Sequence, residues 1–241
     1  MQPVLAVFKR EFLGYFRSPV AYVFLVVFLL ATVGLTWYIG GFFESNDASL
    51  SILFTFLPWI FLFLIPAAGM RLWAEEKKSG TWELLFTLPL SPAQAVLGKF
   101  LAAWLFIVLA LAGTFPLALT AAYLGDPDWG PIWAGYFGAA LMAGAYLGIC
   151  SLFSSLTSNQ VISFVLSVMA CLILVFLGWD AFSGLLHALN LPVPLVDGLA
   201  NFSFITHFEP MSRGLVTLAD TLFFLTLTGF CLFLNILVLE R

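Results

Sequence analysis

The stretch RLWAEEKKSGTWELLFTLPLSPAQAVLGK, Arg71 to Lys99, crowds Arg71, Glu75, Glu76, Lys77, Lys78 and Glu83 into its first half, although only 9% of the chain is charged. Long apolar runs flank it on both sides. Its residues read as helix, break, helix. Ala74 to Ser79 extend the preceding apolar segment, and Gly80 is placed to stop it in a left-handed cap. Thr81 is expected to cap a second, short helix, with Glu83 in its first turn, where a carboxylate complements the helix dipole. Trp82, Leu84, Leu85 and Leu88 give that helix an apolar side, and Pro89 ends it. Residues 73–90 therefore form a compact charged hinge, more elaborate than a chain reversal requires.

The rest of the chain fixes what the hinge projects from. With 241 residues, 62% of them hydrophobic, and a mean hydropathy of +1.07, the composition departs from that of a soluble domain, where about a quarter of residues are charged. The reading is an all-α integral membrane protein, a single transmembrane domain over 1–241. A spanning helix needs about 20 apolar residues, and six such segments are expected: 19–43, 50–72, 92–124, 132–153, 160–179 and 221–239. Ser18-Pro19 and Ser91-Pro92 are N-cap and first-turn pairs, and Ser91 to Gln94 matches the capping box S-x-x-Q. Pro58 and Pro66 are expected kinks. The polar run Ser154 to Gln160 is expected as a loop. Ala140, Gly144 and Gly148 make a small-residue stripe suited to close helix packing.

The N-terminal segment, 1–17, reads as an amphipathic interfacial helix, with Leu5, Phe8, Phe12 and Phe16 toward lipid, Tyr15 at their edge, and Arg10 and Arg17 toward headgroups. Residues 180–218 form a mixed outer region. An even number of spans puts both termini on one side. With that side cytoplasmic, eight of the nine Lys and Arg residues lie inside and only Arg213 outside, so the positive-inside rule sets the orientation and makes the hinge cytoplasmic. Cys150, Cys171 and Cys231 lie in apolar runs and read as small buried hydrophobes. His187 and His207, with Met211 nearby, fall on the outer side and read as structural.

AEEKKSGTWELL with Pro89 and Gly98-Lys99 resembles the signature of type-2 ABC transporter permeases. FKREFLGYFRSPVAYV (Phe8 to Val23) is similar to that family's interfacial helix and first span. HFEPMSRGLVTLADTLFF (His207 to Phe224) resembles the gliding-motility-type branch. The resemblance implies a permease subunit of an ATP-driven transporter, an exporter, in a bacterial inner membrane. It implies that the hinge is a coupling helix seated on a separate cytoplasmic ABC ATPase through Glu75, Glu76, Gly80, Thr81 and Glu83, that ATP and magnesium belong to that partner, and that a second permease subunit, identical or related, completes the transporter. An extracytoplasmic accessory protein is a further possible partner, and no nucleic acid is expected.

The residues agree with a separate ATPase. The nearest approach to a phosphate-binding G-x-x-x-x-G-K-[ST] has Ala93 at its first position and Phe100 at its last, so the cradle of backbone N–H groups is missing. This chain is therefore expected not to be an enzyme and to need no cofactor of its own. Two readings stand beside the permease. An ion-driven secondary transporter would place ionisable groups near the bilayer midplane, whereas Asp180, Asp220, Arg71 and Lys99 sit at span ends. A non-transport anchor of a membrane complex is the other. No H-E-x-x-H or G-x-S-x-G motif marks a membrane enzyme.

Overall fold

The computed structural model describes residues 2–42, 49–81, 90–188 and 192–240. Glu83 and the helix expected over 82–89, the polar loop at 44–47 and the side chain of His187 lie outside the described residues. The architecture is helical, with no strand among the described residues. In chain order the helices are α1 (Gln2–Arg17), α2 (Pro19–Gly34, continued by a π-helical turn Leu35–Ile39), α3 (Ser51–Gly69), α4 (Arg71–Ser79), α5 (Pro92–Ala112), α6 (Phe115–Leu124) and α7 (Trp129–Leu156). They continue as α8 (Gln160–Phe176), α9 (Asp180–Ala188), α10 (Val193–Ala200), α11 (Phe204–Ser212) and α12 (Leu218–Leu239). Five straight or jointed segments are long and apolar enough to cross a membrane among the described residues, and a sixth arises if α8 and the start of α9, bent by 77°, act as one.

α7 is the axis of the bundle, packed by α3, α5, α8, α11 and α12. The small-residue stripe explains why. Gly144 and Gly148 lie against Thr228 and Cys231 of α12, and a Cβ at Gly148 would stand 3.4 Å from that of Cys231. The carbonyl of Ala140 accepts from the indole of Trp104 at 2.8 Å. Without a hydrophobic difference between protein and lipid, such close backbone approach and interhelical hydrogen bonds supply the association.

The structure adds detail to several local expectations. α3 is helical through both Pro58 and Pro66, and the helix is interrupted at Met70. Ser154, expected in a loop, is buried inside α7 and makes this joint. Its hydroxyl accepts from the N–H groups of Trp73 and Ala74, each at 3.0 Å, and donates to the Met70 carbonyl at 2.9 Å. The true break after α7 is at Thr157 to Asn159, where Asn159 caps α8 through Val161 N–H at 2.9 Å. The segment expected as a span over 92–124 qualifies as one, jointed at Gly113-Thr114. Pro116 cannot donate to the carbonyl of Ala112, while the Thr114 hydroxyl bonds the Leu111 carbonyl at 2.7 Å and lies 2.9 Å from the Tyr136 hydroxyl.

The two Ser-Pro pairs also differ. Ser91 and Gln94 form the reciprocal capping box. Ser18 is extended and sets Pro19 at the first turn, but its hydroxyl caps nothing, and Ala21, at the position that Gln94 occupies after Ser91, has no side-chain acceptor to complete a box.

The jointed segment Ser51–Ser79 has 29 residues. At about 1.5 Å per residue it exceeds a hydrocarbon core of about 30 Å by roughly the length of α4. The charged helix is thus the surplus of a span, carried on from it without a loop.

Ser154→Ala tests the joint. It strands two buried N–H donors, at about 1–3 kcal/mol for an unsatisfied buried group. The variant is expected to unfold at a lower denaturant midpoint in mixed micelles, while Ser183→Ala on α9 leaves the midpoint unchanged.

Candidate functional site

At the end of the bundle where α4 projects, Lys99 of α5 is only 4% exposed. Its ammonium donates to Glu76 Oε1 of α4 at 2.8 Å and lies 3.4 Å from Glu11 Oε1 of α1. It also sits 5.2 Å from the ring centroid of Trp73, which is fully buried. Arg10 closes the set, 2.6 Å from Glu11 Oε1 and 3.9 Å from Glu76 Oε1. Charges of both signs from three helices thus meet around one amine. Burial alone would raise the Glu11 carboxyl; Lys99 and Arg10 outweigh it and hold the group below its ordinary range.

The local sequence explains the approach. Gly98 lets α1 lie directly on α5, since a Cβ there would come within 2.8 Å of Val7. Eight residues along both helices, Tyr15 stacks on Phe106 with ring centroids 4.7 Å apart. α1 therefore runs beside the first turns of α5 in the same direction. Its packed face is Val7, Glu11 and Tyr15, while Leu5 and Phe16 stay exposed and Phe8 and Phe12 half-buried.

A second set of contacts holds the other flank of α4. Lys77 donates to the Ser155 carbonyl at the C-terminal end of α7, the favoured place for a cation on a helix. The Trp73 indole donates to Ser151 Oγ at 3.3 Å, and Asn235 of α12 donates to the same oxygen at 2.6 Å.

The residues singled out in the sequence separate accordingly. Gly80 ends α4 in the left-handed region at φ 71°, ψ 4°. Glu75, Gly80 and Thr81 are exposed. Thr81 turns its hydroxyl back toward α4, 2.8 Å from Ser79 Oγ. Glu76 points inward to Lys99, away from the face that carries Glu75. Glu83 lies outside the described residues. Sequence reading did not identify Arg10, Glu11, Trp73 or Ser154 as part of this site. Glu11, four residues from Val7 and from Tyr15 on the packed face of α1, was the available signal.

These features define a polytopic helical membrane protein with a charged, glycine-terminated helix clamped at one end. A family model described as ABC-2 family transporter protein matches residues 31–238. The chain belongs to that family and is a membrane component of an ABC transporter. No curated protein matches it.

Lys99→Met is expected to lower stability by about 3–5 kcal/mol, the usual cost of stripping one partner from a buried ion set. Glu76→Gln combined with Lys99→Met should recover part of the loss. The pH dependence has a definite sign. The Glu11 carboxyl is held below its ordinary value, so its contribution is complete above that value and is lost as pH falls through the folded one. Unfolding midpoints measured across this acid range should fall for the wild type and fall less for Glu11→Gln.

Proposed function

We propose that this chain is the permease subunit of an ATP-driven exporter, of the gliding-motility-type branch, and that the hinge at 74–89 couples it to a separate cytoplasmic ABC ATPase. The reading takes the charged end as cytoplasmic, following the distribution of Lys and Arg, and pairs the chain with a second permease subunit in an inner membrane. ATP and magnesium are bound by the ATPase.

The observation that carries the proposal is the clamp on α4. A coupling element has to transmit displacement without pivoting. Lys99 with Glu76 holds one flank of α4 to α5 and α1, while Ser154 and the Ser155 carbonyl hold the other to α7. A helix fixed on two flanks to different partners carries its load into the bundle as a unit. In this scheme Glu75, Gly80, Thr81 and Glu83 face the ATPase. Glu76 contributes to coupling by positioning α4.

Glu83→Ala removes a carboxylate held against the partner; truncating one member of a desolvated interfacial pair costs about 2–5 kcal/mol. ATPase affinity in detergent should fall by one to several powers of ten, about 1.4 kcal/mol each. Gly80→Val should weaken binding by a different route, since a β-branched residue resists positive φ. Tyr123→Ala, 91% exposed at the other end, should bind as the wild type does. Wild-type affinity in both hinge variants would remove the coupling assignment. A cysteine at Ser79 that reacts with an impermeant reagent in intact cells would overturn the orientation.

A further inference from the structure

At the end of the bundle opposite the ion cluster, both ring nitrogens of His207 face acceptors. Nδ1 lies 2.7 Å from Asp220 Oδ1, and Nε2 lies 2.9 Å from the Asn201 backbone carbonyl oxygen. The other Asp220 oxygen is already taken by the Thr217 hydroxyl at 2.6 Å, and Thr217 caps α12 by accepting from the Asp220 N–H at 3.1 Å. The imidazole stacks on Phe223 with centroids 4.0 Å apart. The His207 and Asp220 side chains are 16% and 9% exposed.

A carbonyl oxygen cannot donate, and neither can a carboxylate. Neutral imidazole carries one N–H, so it can satisfy only one of the two contacts. The geometry needs one proton more than a neutral imidazole and a carboxylate supply together.

The surroundings isolate this proton. α11 packs on α3, α7, α8 and α12. α3, α7 and α8 carry no Asp, Glu, Lys, Arg or His; their titratable groups are Tyr136, Tyr146 and Cys150 on α7 and Cys171 on α8. α12 brings Asp220, with Cys231 further along and Glu240 at its far end. Glu209 of α11 pairs with Arg213 at the helix C-cap. They line a cavity of about 400 Å³ together with Asp180, Asp197 and Thr206.

We propose that His207, Asp220 and the Asn201 carbonyl form a proton-held latch that fastens the corner between α10 and α11 to the start of α12 and opens as pH rises. On losing a proton to solvent, the imidazole keeps the remaining one on Nδ1, toward the stronger acceptor, Asp220. The lone pair of Nε2 then faces the Asn201 oxygen, and that contact turns repulsive. The corner Asn201 to Ser203 is released. Because Ala200 on one side of this corner and Thr206 on the other wall the cavity, the cavity changes shape with it. The sign follows from linkage: the extra proton is bound in the closed state, so closure is favoured at low pH and lost as pH rises.

A spin label on Phe202→Cys, at a position 62% exposed, reads the corner in the full chain in lipid nanodiscs, with the buried native cysteines left in place. Its electron paramagnetic resonance spectrum is recorded from about pH 5 to 9, the range that brackets histidine titration. An immobilised label in acid, loosening with the slope of a single proton, is the expected result. His207→Gln should abolish the pH dependence, and Asp220→Asn should move the midpoint to lower pH. The ring nitrogen resonances of wild-type His207 should titrate with the label's midpoint, a measurement that needs no variant to fold. A wild-type spectrum constant with pH, a His207→Gln curve like the wild type's, a midpoint unmoved by Asp220→Asn, or a histidine midpoint different from the label's would each overturn the latch.

Discussion

Taking a lysine ammonium out of water costs several kcal/mol, and attraction to a counter-charge returns this only with good geometry. Lys99 meets that condition with Glu76 at 2.8 Å, Glu11 at 3.4 Å and the face of Trp73 at 5.2 Å. Glu76 and Trp73 come from α4 and Glu11 from α1, so the burial of one amine on α5 fixes three helices relative to one another. The gain is orientation more than net stability. Sliding α4 by one turn, about 5.4 Å, would take Glu76 from the buried ammonium and leave it Glu11 at 3.4 Å as its remaining carboxylate. The close seat of α1 on Gly98 follows from the same requirement, since Glu11 reaches Lys99 only if the helices nearly touch.

What was legible in the sequence was the local grammar. Gly80 takes the left-handed conformation, and Ser91 and Gln94 cap one another, because each depends on residues a few positions away. Long-range pairing was not legible. Glu75 and Glu76 are neighbours with the same chemistry, yet successive helical residues point about 100° apart. Only the packing of α4 decides that one faces out and the other meets Lys99. In α1 the aromatic spacing drew attention to Phe8, Phe12 and Phe16, while the face that docks is Val7, Glu11 and Tyr15. Ser18 and Ser91 look alike before Pro, and the residue three positions on, Ala21 or Gln94, distinguishes them.

Ser154 shows why polarity misleads inside a membrane bundle. In water a run such as Ser154 to Gln160 reads as loop. In a bundle a buried hydroxyl is suited to a helix joint, because it can donate and accept at once and occupies little room. The joint at Met70 frees N–H groups that lipid cannot satisfy, and Ser154 supplies the oxygen they need. A charged side chain there would bring an ionic desolvation cost, and an apolar one would leave the donors stranded.

The two ends of the bundle are held by different chemistry. At the α4 end the fastening is ionic, Lys99 and Arg10 against Glu76 and Glu11, with Lys77 bonded to the Ser155 carbonyl. At the other end the corner of α10 and α11 rests on an imidazole, whose charge is conditional. Between them, α3, α7 and α8 carry no charged side chain, and interhelical hydrogen bonds such as those of Ser151 and Tyr136 are worth about 0.6 kcal/mol on average in a membrane protein. A load applied at α4 therefore enters a firmly fixed end, crosses a middle held by many weak contacts, and reaches an end whose fastening depends on a proton. With the proposed latch, the compliance of the molecule is concentrated away from the hinge, in the corner that walls the cavity at the opposite end.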